Sequence, residues 1–142
     1  LYPTLNRDLL ICGILLHDIG KITELCYERN LHYSDEGQLL GHLISGIQIV
    51  DEKAKQVGGF PKTLLDLLKH MILSHHGEYE WGSPKLPMTV EALALHYLDN
   101  LDAKIHAFNK AIANDKDTQD NWTGFNKMFE RKLFKTSANF TA

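Results

Sequence analysis

The sequence predicts an all-α fold, a bundle of about five helices. Apolar residues recur at spacings of three and four in successive segments, capping residues and glycine or proline bound most of those segments, and no stretch alternates with the period of a strand. Asn6 reads as the N-cap of a first helix that runs to Ile19, with Gly20 as its C′ residue; its apolar character predicts burial on most sides. Ser34 caps a second helix carrying Leu40, Leu43, Ile44, Ile47 and Ala54, which ends at Gly58-Gly59. Pro61 suits the first turn of a third. Its stripe of Leu64, Leu68, Met71 and Ile72 continues to His75, which therefore faces inward before Gly77 stops the helix. Thr89 caps a long fourth helix with Ala94, Leu98, Leu101, Ile105, Phe108 and Ile112 along one face. These elements define a core over 1–113. A polar linker follows from 114, and 122–135 reads as a weakly amphipathic segment packing on the core through Phe125, Met128 and Phe129.

Composition narrows the function. The 142 residues are 44% hydrophobic and 23% charged, as expected of one folded domain rather than a disordered chain. A net charge of −3 provides no global positive field, so any nucleic-acid contact is local. Two cysteines are too few for a disulfide scaffold, and Cys12 in its apolar run reads as a buried thiol, which points to a reducing, cytoplasmic home. The run Leu9 to Leu16 is far short of the roughly 20 residues of a membrane span. A start at Leu1, almost directly into a helical pattern, reads as a fragment of something longer. With eight histidines, a metal site would be built from His and carboxylate.

His17-Asp18 places a carboxylate at the end of a largely apolar helix, where the helix dipole already carries negative charge. A bound cation would reverse that sign, whereas a loop cap or a pair with Lys21 explains Asp18 equally well. His75-His76 closes the third helix, where a capping role is the plain reading, yet an inward imidazole needs a partner. His42 lies within the second helix with Gly46 one turn on; a satisfied core histidine is the commoner explanation of such a residue. Asp99 and Asp102 stand three apart on the fourth helix. A solvated edge, helped by His106, fits Asp102 better, leaving Asp99 as the metal candidate. Facing helices of a bundle supply metal ligands in this way, and six His and carboxylate groups suit two divalent ions with Asp18 between them. Asp18, Asp99, two such ions, a hydroxide and a phosphodiester monoanion together come to zero net charge, so the site suits a phosphate ester.

The stretch His17-Asp18-Ile19-Gly20-Lys21, with His42, His75-His76 and Asp99 after it in that order, resembles the HD superfamily of metal-dependent phosphohydrolases. More narrowly, Leu40-Gly41-His42, Leu73 to Gly77, Glu80 to Pro84 and His96 to Lys104 look like the HD domain of the YhaM-type 3′→5′ exoribonucleases. The resemblance covers the chain to about Ile112. It implies an HD-domain helical bundle and hydrolysis of RNA, or sometimes single-stranded DNA, from the 3′ end. Manganese is the implied metal, with iron, cobalt or zinc as further possibilities, and an N-terminal OB-like domain is expected in the parent chain. His17, Asp18 and Asp99 would hold one metal, and Asp18, His42, His75 and His76 would surround the other. A further metal-binding histidine, which the family carries on an upstream helix, is missing. Water activated between the ions would attack phosphorus in line, which makes Asp18 a catalytic residue. Lys21 would hold the phosphate or the leaving oxygen, although an ordinary helix-end cation fits it nearly as well. Trp81 would stack on a base, unless it is only a packing anchor, and Asp102 is assigned to the substrate side. The last segment interleaves Lys127, Arg131, Lys132 and Lys135 with Trp122, Phe125 and Phe129, as an RNA-contacting surface or a docking helix would.

Two other readings stand beside this one. The same metals could serve a small nucleotide or cyclic nucleotide, which the net charge of −3 favours. Alternatively, a catalytically inactive HD-like domain could serve as a regulatory or assembly module, against which the full set of candidate ligands argues. An oligomer is compatible with all three.

Overall fold

The computed structural model describes residues 2–27, 30–116 and 120–135. Its regular elements are helices apart from one minute ladder: α1 (Arg7–Leu16), α2 (Lys21–Glu24), β1 (Leu25–Cys26), β2 (His32–Tyr33), α3 (Asp35–Val57), α4 (Lys62–Ser74), a 3₁₀ turn (Tyr79–Trp81) and α5 (Val90–Ala113). The all-α expectation holds. The chain divides into two compact units, Leu1–Asp99 and Asn100–Ala142.

Local chemistry sets the element starts. Asn6 accepts from the Leu9 N–H, Ser34 from the Gly37 N–H and Thr89 from the Ala92 N–H, each at about 3 Å and each satisfying an orphan donor of a first turn. Pro61 is the N-cap of α4, one position before the expected first turn. The core of the first unit gathers Leu9, Val50, Leu68, Met71, Ile72, Ala92 and Leu95 from four helices.

Several expectations are corrected. The first helix stops at Leu16, and His17 to Gly20 form a turn into the short α2. Gly20 has φ −65°, so it is no left-handed cap; it is needed because a Cβ there would collide with the His42 carbonyl and the Gly46 nitrogen of α3. α1 is not buried on most sides: only Leu9 and Gly13 are buried, while Leu15 and Cys12 are exposed, so the buried-thiol expectation fails. The pair β1–β2, in antiparallel register Leu25↔Tyr33, was not foreseen because two-residue strands leave no period. α3 is kinked at Gly41, where φ is +72°.

α5 also turns differently. The first unit buries Ala92, Leu95 and His96, whereas Leu98, on the expected stripe, is 49% exposed. At about 100° per residue Leu98 stands roughly 160° from His96 and roughly 120° from Ala92 though only about 60° from Leu95, so the covered face is turned away from the expected stripe. Periodicity identifies an apolar face but not the face that is covered. In the second unit, 122–135 is no helix; it is a run of turns closed by isolated bridges, Trp122 with Phe134 and Asn126 with Arg131, with Phe129 edge-on to Phe108.

Candidate metal centre

The candidate ligands of the first unit arrive from different elements. His17 and Asp18 come from the turn after α1, His42 follows the kink of α3, His75 and His76 follow α4, and Asp99 comes from α5. Asp18 stands in the middle. Its Oδ2 lies 3.4 Å from His17 Nε2 and 2.6 Å from Lys21 Nζ, and its Oδ1 lies 3.6 Å from His42 Nε2 and 3.7 Å from His75 Nε2. Asp99 Oδ1 is 3.7 Å from His17 Nε2.

All four imidazoles are oriented in the same sense. His17 Nδ1 donates to the Ile14 carbonyl at 2.8 Å, His75 Nδ1 to the Ile72 carbonyl at 2.8 Å, and His76 Nδ1 to the Trp81 carbonyl at 3.1 Å. His42 Nδ1 donates to Glu24 Oε1 at 3.0 Å. A carbonyl or carboxylate oxygen has no proton to give, so each ring carries a proton on Nδ1, and whenever the ring is neutral its lone pair is on Nε2. Adjacent rings stand close, His75 and His76 at 4.4 Å and His17 and His75 at 4.9 Å between centroids.

For His75 and His76, protonation favours the neutral ring. Burial pushes His75 down to about 4 and also lowers His76, which faces His42 besides. Both rings are neutral donors at neutral pH. The hydrogen bond with Asp18 raises His17 in spite of its burial, which favours a protonated Nε2 facing Asp18; a bound cation would take the place of that proton. Burial works to raise Asp18, but hydrogen bonds from His17 and Lys21 outweigh it and hold the carboxyl well below the usual carboxylate range. Asp18 is therefore ionised.

Two three-residue groups have donor atoms mutually within 4.8 Å: His42, His75 and His76, and His17, Asp18 and His75. His75 belongs to both, whereas the sequence placed it on one side only. Asp18 Oδ1 and His42 Nε2 are buried without a hydrogen-bond partner among the described residues. Leaving such atoms unpaired costs about 1–3 kcal/mol each. Converging imidazole Nε2 atoms around a carboxylate form a donor set that fits divalent cations, which would pair both orphans.

The residues assigned to substrate are placed differently. Lys21 is committed to Asp18, yet its side chain stays partly open to solvent. Trp81 is half exposed and its ring lies 5.9 Å from that of buried His96, while its carbonyl holds His76. Asp102 is exposed on α5, within the second compact unit. Glu24 was not singled out from the sequence, because it lies in a polar stretch, among Lys21, Thr23, Glu28 and Arg29, where a carboxylate does not stand out. His96, given no role, donates from Nδ1 to the His75 carbonyl at 2.9 Å.

The fold and this cluster define a helical domain built around a histidine–aspartate centre able to hold metal ions. Residues 2–104 match the HD domain family, and the chain belongs to it. It is similar to curated proteins named 3′-5′ exoribonuclease YhaM. With that of Geobacillus sp. (strain WCH70) it shares 42% identity over 139 residues, 96% of this chain and 43% of the relative. With that of Bacillus subtilis (strain 168) it shares 47% identity over 116 residues, 82% of this chain and 37% of the relative. The chain thus spans about two fifths of the length of these relatives. No solved structure matches it.

Proposed function

We propose that the chain is the metal-dependent phosphohydrolase domain of a 3′→5′ exoribonuclease. The observation that carries this reading is the convergence of the Nε2 atoms of His17, His42 and His75 on an ionised, half-buried Asp18, with Asp18 Oδ1 and His42 Nε2 left without partners among the described residues. In this reading His17, Asp18 and Asp99 hold one divalent ion, and Asp18, His42, His75 and His76 surround the other, the single Nε2 lone pair of His75 serving one ion at a time. Manganese is the first ion to test, then iron, cobalt and zinc. Two ions so held would supply Lewis acidity towards a phosphodiester and lower the pKa of a water molecule.

The remaining work falls to the chain. Asp18 offers one oxygen to each side of the cluster and supplies its negative charge. Lys21, 2.6 Å from Asp18 and open to solvent on its other side, is placed to take a phosphate or leaving-group oxygen. Trp81 presents a half-exposed ring on which a base can stack, and Asp102 is the further substrate-side candidate. RNA or single-stranded nucleic acid is the substrate in this reading, with an OB-like domain in the parent protein supplying further contacts and an oligomer possible. Among the described residues no helix is long and apolar enough to cross a membrane. Two free thiols, Cys12 and Cys26, accord with a cytoplasmic setting.

The test is digestion of a 5′-labelled single-stranded RNA by the manganese-loaded chain beside an Asp18→Asn variant. The expected result is a ladder shortening from the 3′ end with nucleoside monophosphate release, absent in the variant. Turnover of small or cyclic nucleotides without RNA digestion would move the reading to the nucleotide hydrolase that a net charge of −3 favours. A metal-loaded chain that turns over neither would leave a regulatory module.

A further inference from the structure

We propose that Glu24 is a positioning residue of this centre, fixing His42 in the tautomer and orientation that turn its Nε2 towards Asp18. The inference rests on the metal-centre reading above. Glu24 ends α2 and is only 7% exposed, so its carboxylate needs donors from within the protein. Both that the structure gives it belong to His42: the backbone N–H and the ring Nδ1–H each reach Oε1 at 3.0 Å. The backbone donor is available because Gly41, at φ +72° and ψ 163°, breaks α3 just before His42. A Gly is required there, since side-chain-bearing residues rarely adopt that conformation.

His42 is set apart from its three companions by this contact. His17, His75 and His76 rest on neutral main-chain carbonyls, whereas His42 rests on a carboxylate. An anionic acceptor at Nδ1 makes Nε2 the stronger donor, and that Nε2 is one of the two orphaned atoms. Glu24 is itself held on both sides of its peptide. The Ser34 N–H bonds its carbonyl at 2.9 Å, the Ser34 hydroxyl bonds the Thr23 carbonyl at 2.7 Å, and Gly37 packs so closely that a Cβ would strike the Glu24 backbone. A side chain fixed at its root and tied twice to one histidine sets that histidine's geometry.

The test compares Glu24→Ala and Glu24→Gln with wild type. Long-range ¹⁵N–¹H NMR in chelator at pH 8 reads the His42 tautomer, and calorimetric titration with manganese reads affinity. Wild type shows Nδ1–H. Glu24→Ala loses that preference and binds manganese about 10–100-fold more weakly. Glu24→Gln, which fills the same space and keeps an acceptor without the charge, retains the tautomer and loses part of the affinity. An unchanged tautomer and affinity in Glu24→Ala, or wild-type affinity in Glu24→Gln, overturns the proposal. Should wild type bind no metal, the centre itself is misread, and the metal-free NMR comparison still decides whether Glu24 orients His42.

Discussion

Replacing Asp18 with Asn keeps the shape of the side chain and removes its charge from the middle of the cluster. In the metal-free protein the change is small. The pair with Lys21 is partly exposed on both sides, and such pairs contribute about 0–1 kcal/mol. Metal binding gives the opposite scale, because an ion at one hundred times its dissociation constant stabilises the folded state by about 2.7 kcal/mol. For a chain of 142 residues each kcal/mol moves the melting temperature by about 2–4 °C, so wild type rises by about 5–10 °C with manganese. Asp18→Asn faces the Nε2 atoms of His17, His42 and His75 with a neutral amide and rises by less than about 2 °C. Differential scanning calorimetry of both proteins, with chelator and with manganese at one hundred times the wild-type dissociation constant, reads the difference. An equal rise in the variant would mean that the ions bind elsewhere, and would refute Asp18 as the shared ligand.

Three further outcomes are expected. His75 titrates at about 4 in the folded state against 6.5 ordinarily, so the unfolded chain takes up its proton first; His75 therefore contributes stability that is whole above pH 6.5 and falls away towards pH 4. The loss is about 2–3 kcal/mol by pH 4.5 in urea unfolding with chelator, added to by His70 and His76 and opposed by His17, and a His75→Gln variant with the same pH slope as wild type would contradict it. Gly20→Ala drives a Cβ into the α3 backbone and costs about 1–3 kcal/mol in the same assay, while Gly124→Ala, with open space around it, stays within about 0.5 kcal/mol. Trp81→Ala raises KM for RNA by about 5- to 100-fold with kcat little changed, and Trp81→Phe restores most of it; equal KM values in all three proteins would remove Trp81 from the substrate path.

What the sequence made legible is what local chemistry decides. Asn6, Ser34 and Thr89 were readable as caps because each satisfies a donor three residues away. The metal candidates were readable because His17-Asp18 and His75-His76 are adjacent pairs at segment ends, where side chains of that kind are conspicuous. Glu24 was not readable, since its role depends on a kink at Gly41 and on 18 residues of separation from His42. The exposure of Cys12 and the turn of the covered face of α5 were missed for a related reason. Periodicity describes a helix by itself, and burial is decided by the neighbour.

The position of the two histidine pairs at helix ends has a physical basis that extends the cap argument. His17 is the C-cap of α1 and His75 the C-cap of α4, and each sends Nδ1–H back three residues to a carbonyl of the last helical turn, Ile14 and Ile72. Carbonyls of a last turn have no intrahelical donor, and they carry the negative end of the helix dipole. They are therefore ready acceptors that fix the ring, select the Nδ1–H tautomer and strengthen Nε2 as a donor without requiring a dedicated side chain. His42 begins the helical run after the kink, and its ring Nδ1–H turns to an acceptor on another element. Glu24 fills that position, and the glycines at 20, 37 and 46 let α2 and α3 approach closely enough for it to do so.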